Sequence, residues 1–223
     1  MLMGERGTER CSARVAFYLR HGLLEASARQ FTDHWNRNHD LFSPLPDRCE
    51  RIEDGNVICI GKSDWRVIIA RGHAPEQALL HSPEHNLLIS GDQILPRTTP
   101  NVSILEEKPG WNPLALFLES NRRIAEICTD VLVLPSHNLP FFGLHSRIKV
   151  LDRLRQERLA KLEQELKGRS QTAADLVPSL FGDLYNDEIV FALGEVIAQL
   201  HYLVEQGRAK RTARNGKVIF ASA

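Results

Sequence analysis

Two histidines and one aspartate, His73, Asp92 and His137, each lie within three residues of the end of an apolar run typical of a β-strand. Neutral imidazole nitrogen and carboxylate oxygen are ligands that zinc and similar divalent ions accept. A metal held by such ligands polarises a scissile carbonyl and lowers the pKa of a bound water toward neutrality. The sequence therefore predicts a hydrolytic metal site with these three residues as ligands. It identifies no further catalytic or substrate-binding side chain.

The order of the predicted strands brings the first two of these residues to one edge of a sheet. A strand at 65–70 runs out to His73, and the chain then reverses to form a strand at 77–81. A second reversal forms a strand at 86–90, which runs in the first direction again. Asp92 is therefore expected to emerge at the same edge as His73.

The third residue reaches this edge through a crossover connection. An amphipathic helix is predicted at 114–128, followed by a short buried strand at 131–134. A crossover helix between two strands of one sheet makes those strands parallel. His137 is thus delivered to the edge where open α/β sheets place their ligand sites.

Taken singly, each of the three is an ordinary turn residue, and only their convergence favours a functional site. A lone histidine after a strand is usually solvated or hydrogen-bonded, and Gly-Asp after a strand is a common turn. The other histidines have no comparable placement. They are expected to be surface or packing residues: His21, His34, His39, His81, His85, His145 and His201.

Outside the predicted strands, much of the chain before residue 168 shows helical periodicity. Residues 9–40 are predicted to be helical with an interruption at Gly22, and 145–167 form a long charged helix that Gly168 ends. Between the strands, 96–113 is a long loop rich in Pro and Thr. Loops of this length in compact domains are usually functional or mobile.

The last part of the chain is predicted to form a separate small module. Two helices at 173–180 and 187–206 precede a β-hairpin that turns at Asn215-Gly216. Helices followed by a hairpin are typical of a winged helix. We therefore predict one domain at 1–167 and a winged-helix-like module at 168–223.

Composition limits the classes of function. The 223 residues are 43% hydrophobic and 25% charged, which is typical of a globular protein, and the formal net charge is zero. A neutral balance does not favour a dedicated nucleic-acid binder. The sequence has no CxxC pair, and it does not open with the apolar stretch of a signal peptide. It also has no apolar run long enough to span a membrane. A cytoplasmic protein without membrane partners is expected.

Four segments around the candidate ligands resemble the metallo-β-lactamase superfamily. They match in order and spacing, and the resemblance extends along nearly the whole chain. The segments are Gly72-His73-Ala74-Pro75-Glu76, Leu88-Ile89-Ser90-Gly91-Asp92, Thr99-Pro100-Asn101-Val102-Ser103 and Leu132-Val133-Leu134-Pro135-Ser136-His137. The most similar members are hydrolases related to hydroxyacylglutathione hydrolases, which carry a comparable C-terminal winged-helix-like module.

The resemblance implies a fold and a role for each candidate ligand. The family's fold is an α/β four-layer αββα sandwich with its site at one edge of two sheets. His73 resembles the third histidine of the first metal site, Asp92 the aspartate that bridges two metals, and His137 the last histidine, on the second metal. Intact members of the family hold two zinc ions.

The sequence departs from the family in one large respect, because the HxHxDH motif is absent. In the family this motif supplies half of the ligands and lies upstream of the segment that residues 1–20 resemble. The resemblance therefore implies a truncated gene product or a mis-called start. Such a chain is expected to hold at most one zinc ion weakly, to lack the nucleophilic water, and to be poorly stable unless it forms a homodimer.

The resemblance implies an enzyme that hydrolyses a small ester, thioester or lactone, although activity is not expected with half of the ligands. A degenerate, inactive relative retained as a dimer partner is a further possibility. A different class of function is a non-catalytic interaction or nucleic-acid-binding protein. Its basic hairpin would comprise Arg208, Lys210, Arg211, Arg214 and Lys217. The preceding helix carries Glu195 and Glu205 and no arginine, which does not favour nucleic-acid recognition.

Overall fold

A computed structural model describes residues 2–39, 48–104, 108, 110–184 and 188–223. These residues form a mixed α/β fold, as the sequence predicted, and contain six helices and seven strands. The helices are α1 (Leu2–Arg20), α2 (Glu25–His39), α3 (Pro113–Ile127), α4 (Leu144–Leu166), α5 (Ala173–Phe181) and α6 (Glu188–Glu205). The strands are β1 (Val57–Ile60), β2 (Ser63–Ala70), β3 (Gln77–Ser82), β4 (Leu87–Gly91), β5 (Leu132–Pro135), β6 (Ala209–Arg214) and β7 (Lys217–Ser222).

The described residues form two compact units. One unit, here the sheet unit, comprises 48–102 and 112–157. The other, here the helical unit, comprises the described parts of 1–47, 103–111 and 158–223. The predicted domain boundary after residue 167 stays a prediction, as does the winged-helix assignment.

The sheet unit contains one five-stranded sheet in the order β1-β2-β3-β4-β5. Neighbouring strands from β1 to β4 are antiparallel, whereas β4 and β5 are parallel. The two reversals and the crossover that the sequence predicted are therefore present. The crossover makes the carboxyl ends of β4 and β5 neighbours, and the antiparallel meander returns β4 to the same direction as β2.

Helix α3 provides the crossover and covers the sheet. The side chain of Asn112 accepts a hydrogen bond of 3.1 Å from the backbone N–H of Ala115, and Pro113 occupies the first turn, where it costs no hydrogen bond. The helix packs against β2. Its buried apolar residues and those of the strands form the core of this unit: Leu114, Phe117, Ile124, Ile68, Leu79, Leu88 and Val133.

The helical unit is organised around α6, which is buried on almost all sides. Helix α5 begins with a capping box, in which Thr172 and Asp175 satisfy each other's backbone N–H groups. The hairpin β6–β7 turns at Asn215 and Gly216, both with positive φ, as the Asn-Gly pair predicted. No helix in the described segments is both long and apolar enough to cross a membrane.

Some sequence-based predictions concern residues that the structure does not describe. They are the parts of the long loop at 105–107 and 109, the last residue of the helical stretch predicted at 9–40, the first residue of the helix predicted at 187–206, and the side chain of His39. They stay predictions.

Candidate metal site at the carboxyl edge of the sheet

His73 lies in the turn that follows β2, and its position depends on the glycine before it. Gly72 has a φ of +117°, and a Cβ built on it would lie 2.4 Å from the Cβ and 2.6 Å from the Cα of Phe117 in α3. Only glycine allows this close approach of two backbones. The turn is also held by the backbone N–H of Arg71, which donates a 2.8 Å hydrogen bond to the hydroxyl of Ser120.

The imidazole of His73 has a defined orientation and tautomer. Its Nδ1 lies 2.8 Å from the carbonyl oxygen of Asn101. A carbonyl only accepts hydrogen bonds, so Nδ1 carries a proton, and in the neutral ring Nε2 is then the nitrogen with the free lone pair. This is the arrangement in which metal-binding histidines are commonly held, with the second ring nitrogen fixed by a backbone carbonyl.

Asp92 lies between the two histidines that the sequence singled out. Its Oδ2 is 3.5 Å from Nε2 of His73, and its Oδ1 is 3.5 Å from Nε2 of His137. The hydroxyl of Ser136 donates a hydrogen bond to the same Oδ1. The preceding residue, Gly91, has a φ of +53°, and a Cβ there would lie 2.1 Å from the amide nitrogen of Gln77. The convergence predicted for the three residues is therefore present.

His137 reaches Asp92 because β5 pairs in parallel with β4. The backbone N–H of Ser136 donates a 3.0 Å hydrogen bond to the carbonyl of Gly91, which fixes the end of β5 beside the turn that carries Asp92. The side chain of His137 is 68% exposed, compared with 28% for His73 and 30% for Asp92. A dissolved cation can therefore reach all three side chains.

Sequence reasoning did not identify the polar residues that hold these turns. On α3, Ser120 binds the turn before His73, and the side-chain oxygen of Asn121 accepts a 2.9 Å hydrogen bond from Gln93, the residue after Asp92. Both α3 residues are buried. Polar residues on the buried face of an amphipathic helix were the available signal, because buried polar groups are almost always hydrogen-bonded.

The donor set fits a bridging carboxylate better than it fits a single closed metal site. The two oxygens of Asp92 face two different imidazoles, so each oxygen and its facing nitrogen form a pair of donors. Among the described residues no group of three or more His, Cys, Asp and Glu side chains surrounds one position suited to a metal. Each oxygen–nitrogen pair offers two donors, which is fewer than the three or four protein ligands usual for zinc. That the three residues are metal ligands stays a prediction.

A second pair of histidines is buried in the helical unit. His21 and His201 are 5% and 7% exposed, and both flank the ring of Phe220. Burial, followed by the nearby His201 and arginines, lowers the pKa of His21 from 6.5 to about 3. Burial and then Arg211, which lies 3.3 Å from Nε2 of His201, lower the pKa of His201. Both are packing residues, one of the two roles expected from the sequence.

The basic hairpin is partly engaged within the chain. Arg208 forms a bidentate hydrogen-bonded pair with Glu163 of α4, and Arg211 contacts His201. The remaining cations of the hairpin are exposed: Lys210, Arg214 and Lys217.

Comparisons with known proteins point to one family. Residues 159–223 match the model of the metallo-beta-lactamase-like C-terminal domain. A beta-lactamase domain protein from Burkholderia ambifaria superposes with a TM-score of 0.84 at 37% identity, covering 92% of this chain and 60% of that one. A metallo-beta-lactamase family protein from Thermus thermophilus superposes with a TM-score of 0.71 at 26% identity, covering 86% and 65%.

A curated relative is similar over a shorter stretch. The probable metallo-hydrolase YqjP of Bacillus subtilis is 23% identical over 146 residues, which are 64% of this chain and 46% of that protein. The chain thus spans about half the length of the curated relatives that it matches.

Proposed function

Because the chain belongs to the metallo-β-lactamase superfamily, we propose that His73, Asp92 and His137 are metal ligands of a hydrolytic site. The observation that carries this proposal is the position of the Asp92 carboxylate. Each of its oxygens lies 3.5 Å from Nε2 of a different histidine. Zinc is the ion proposed, because imidazole nitrogen and carboxylate oxygen are its usual ligands in hydrolases.

The three side chains divide the binding between two positions. His73 Nε2 and Asp92 Oδ2 would hold one metal ion, and His137 Nε2 and Asp92 Oδ1 would hold the other. The Asn101 carbonyl keeps the proton of His73 on Nδ1, away from the metal side, and Ser136 orients Oδ1 of Asp92. A metal held there would supply Lewis-acid chemistry: it would polarise a substrate carbonyl and lower the pKa of a bound water toward neutrality.

We propose a small ester, thioester or lactone as the substrate class. In each of these a carbonyl is attacked by water and an oxygen or sulfur leaving group departs, so metal-assisted hydrolysis suits all three. Each proposed metal position would take only two donors from the three residues, and zinc sites normally use three or four. Hydrolysis therefore requires ligands in addition to His73, Asp92 and His137, and these three alone hold zinc weakly.

Zinc titration of the chain, followed by NMR of its histidine side chains, tests the proposal because this method detects weak binding. We expect the His73 and His137 signals to shift together as zinc is added. Asp92→Ala should weaken binding at least tenfold, because it removes the donor that both positions share. Asp64→Ala is the matched control, since Asp64 is an exposed aspartate in β2.

Two results would contradict the proposal. One is an absence of shifts at His73 and His137 with zinc at about 1 mM, which corresponds to a binding free energy weaker than about 4 kcal/mol. The other is an Asp92→Ala chain that binds zinc as tightly as the Asp64→Ala chain does.

A further inference from the structure

Arg155, in the sheet unit's part of α4, is the largest fully buried side chain among the described residues. A buried guanidinium is costly unless hydrogen bonds and nearby groups compensate for its lost hydration. An apolar side chain of similar size would fill the same space at a lower desolvation cost. The contacts of Arg155 therefore need a reason beyond filling the core.

The first contact leads to the ring of His73 through the long loop. Nη2 of Arg155 donates a hydrogen bond to the carbonyl of Pro100. The next residue is Asn101, whose carbonyl accepts the hydrogen bond from Nδ1 of His73 at 2.8 Å. Arg155 thus fixes the peptide immediately before the group that orients the imidazole.

The second contact leads to the backbone of His73 through α3. The guanidinium of Arg155 lies over the ring of Phe117, 5.5 Å from its centroid. The backbone of Phe117 is the surface on which Gly72 packs without room for a Cβ. Gly72 is the residue directly before His73, so the same guanidinium also supports the turn that carries this ligand.

A second arginine on α4 holds the start of the same loop. Nε of Arg147 donates to the carbonyl of Leu95 at 2.6 Å, and its Nη2 donates to the carbonyl of Thr98 at 2.7 Å. The loop between Asp92 and Asn101 is therefore bound at three carbonyls by α4. Of the two arginines, Arg155 is the one that lies over Phe117 as well.

We propose that Arg155 is a positioning residue for His73, acting on the imidazole through Pro100 and Asn101 and on the backbone through Phe117 and Gly72. The importance of this role for metal binding rests on the proposed function of His73 as a ligand. The effect of Arg155 on the orientation of the His73 ring does not depend on metal binding. The positioning role and the ligand function can therefore be tested separately.

The test compares Arg155→Met with Arg153→Met in the full chain. Arg153 lies on the same helix, is largely exposed, and pairs with Glu157. The first readout is the tautomer of His73 in the metal-free chain, from two-bond ¹H–¹⁵N spectra at a pH where the ring is neutral. The second is zinc binding, followed by the same histidine signals.

We expect wild type and Arg153→Met to show His73 with the proton on Nδ1 alone. Arg155→Met should show a mixture of tautomers and bind zinc about tenfold more weakly, the lower end of the range for loss of a group that orients a ligand. A folded Arg155→Met chain with the wild-type tautomer and wild-type zinc affinity would overturn the proposal.

A second variant decides the matter if Arg155→Met does not fold. Arg155→Lys keeps a cation that can donate to Pro100 but loses the planar group that lies over Phe117. We expect this variant to fold with an altered His73 tautomer ratio. A folded Arg155→Lys chain that matches wild type in both tautomer and zinc affinity overturns the proposal.

The two hypotheses give different patterns of failure. If wild type does not bind zinc but Arg155→Met changes the His73 tautomer, the proposed function fails and the positioning role stands. If Asp92→Ala abolishes zinc binding but Arg155→Met leaves both readouts unchanged, the positioning role fails and the proposed function stands.

Discussion

The chain contains two pairs of histidines, and their surroundings are opposite. His73 and His137 lie at the edge of the sheet, accessible to solvent, with the carboxylate of Asp92 between them. His21 and His201 lie in the core of the helical unit, where the guanidinium of Arg211 contacts His201. The first pair can attract a cation, whereas the second repels one.

This difference indicates that two nearby imidazoles alone are not sufficient for the metal site proposed at the sheet edge. A ligand pair needs an anionic partner and a route for the ion, and the sheet edge provides both. In the core pair, burial and positive neighbours lower the pKa of both rings. There the imidazoles behave as neutral aromatic packing groups. Four substitutions test this difference between the two pairs of histidines.

Gly72→Ala should have the largest effect, because it breaks the backbone support of the sheet-edge pair. A Cβ at a φ of +117°, 2.6 Å from the Cα of Phe117, forces the turn and α3 apart. Backbone strain and overpacking together should lower the free energy of unfolding by roughly 2–6 kcal/mol, measured by urea denaturation. Gly55→Ala, with positive φ but open space, should cost only about 1–2 kcal/mol. Equal losses would contradict this explanation.

Acidification should destabilise the chain through the core pair. His21 has a pKa of about 3 when folded and about 6.5 when unfolded. Between these values the unfolded state binds a proton that the folded state does not, so stability is lost as the pH falls below 6.5. The loss from His21 approaches about 1.4 kcal/mol per pH unit and amounts to about 2.3 kcal/mol between pH 6.5 and 4.5.

Replacing His21 by phenylalanine should remove that part of the pH dependence. Its neighbours include the rings of Phe17 and Phe220, so a phenyl ring suits the site. Urea denaturation at pH 6.5 and 4.5 measures the slope, with the exposed His34→Phe as the control. An unchanged slope in His21→Phe would show that His21 is not the group responsible.

Ser136→Ala should weaken zinc binding about tenfold at the sheet edge, because the Asp92 carboxylate loses the hydroxyl that orients Oδ1. The measurement is the zinc titration followed by histidine NMR signals. Ser63→Ala is a matched control, since the Ser63 hydroxyl contacts His85 at 2.5 Å, away from the site. If both serine variants bind zinc like wild type, Ser136 has no orienting role.

Arg211→Met should have the smallest effect, confined to the core pair. Removing the positive charge 3.3 Å from Nε2 should raise the pKa of His201. The pKa should nevertheless stay below its ordinary value, because burial is the larger cause and persists. NMR titration measures it, with the exposed Arg214→Met of the same strand as the control. A fall in the pKa of His201 would refute the assigned direction.

The direction of the chain and the periodicity of its apolar residues predicted most of the strands and turns that position the candidate site. The alternation of short apolar runs and turns predicted β2, β3 and β4, and the amphipathic segment before β5 predicted a crossover. These are local patterns, and connection rules turn them into topology. That His73, Asp92 and His137 share an edge follows from topology alone, so the sequence was sufficient for it.

The contacts that orient the site were beyond sequence reasoning. The sequence of α4 predicted a long charged helix, and nothing distinguished the buried Arg155 from the exposed Arg153. Burial of a cation depends on groups far away in sequence, here the Pro100 carbonyl and the Phe117 ring. The division of the Asp92 oxygens between two histidines likewise depends on rotamers that turn chemistry does not specify.

The parallel pairing of β4 with β5 also sets an order in which the site assembles during folding. His73 and Asp92 follow β2 and β4, which join β3 in one antiparallel meander whose pairing closes only short loops. His137 arrives only after α3 has crossed over and β5 has docked beside β4. Closure of the longer loop has the larger entropic cost, and such non-local pairing is slow. The pair His73–Asp92 should therefore form first, with His137 completing the cluster late.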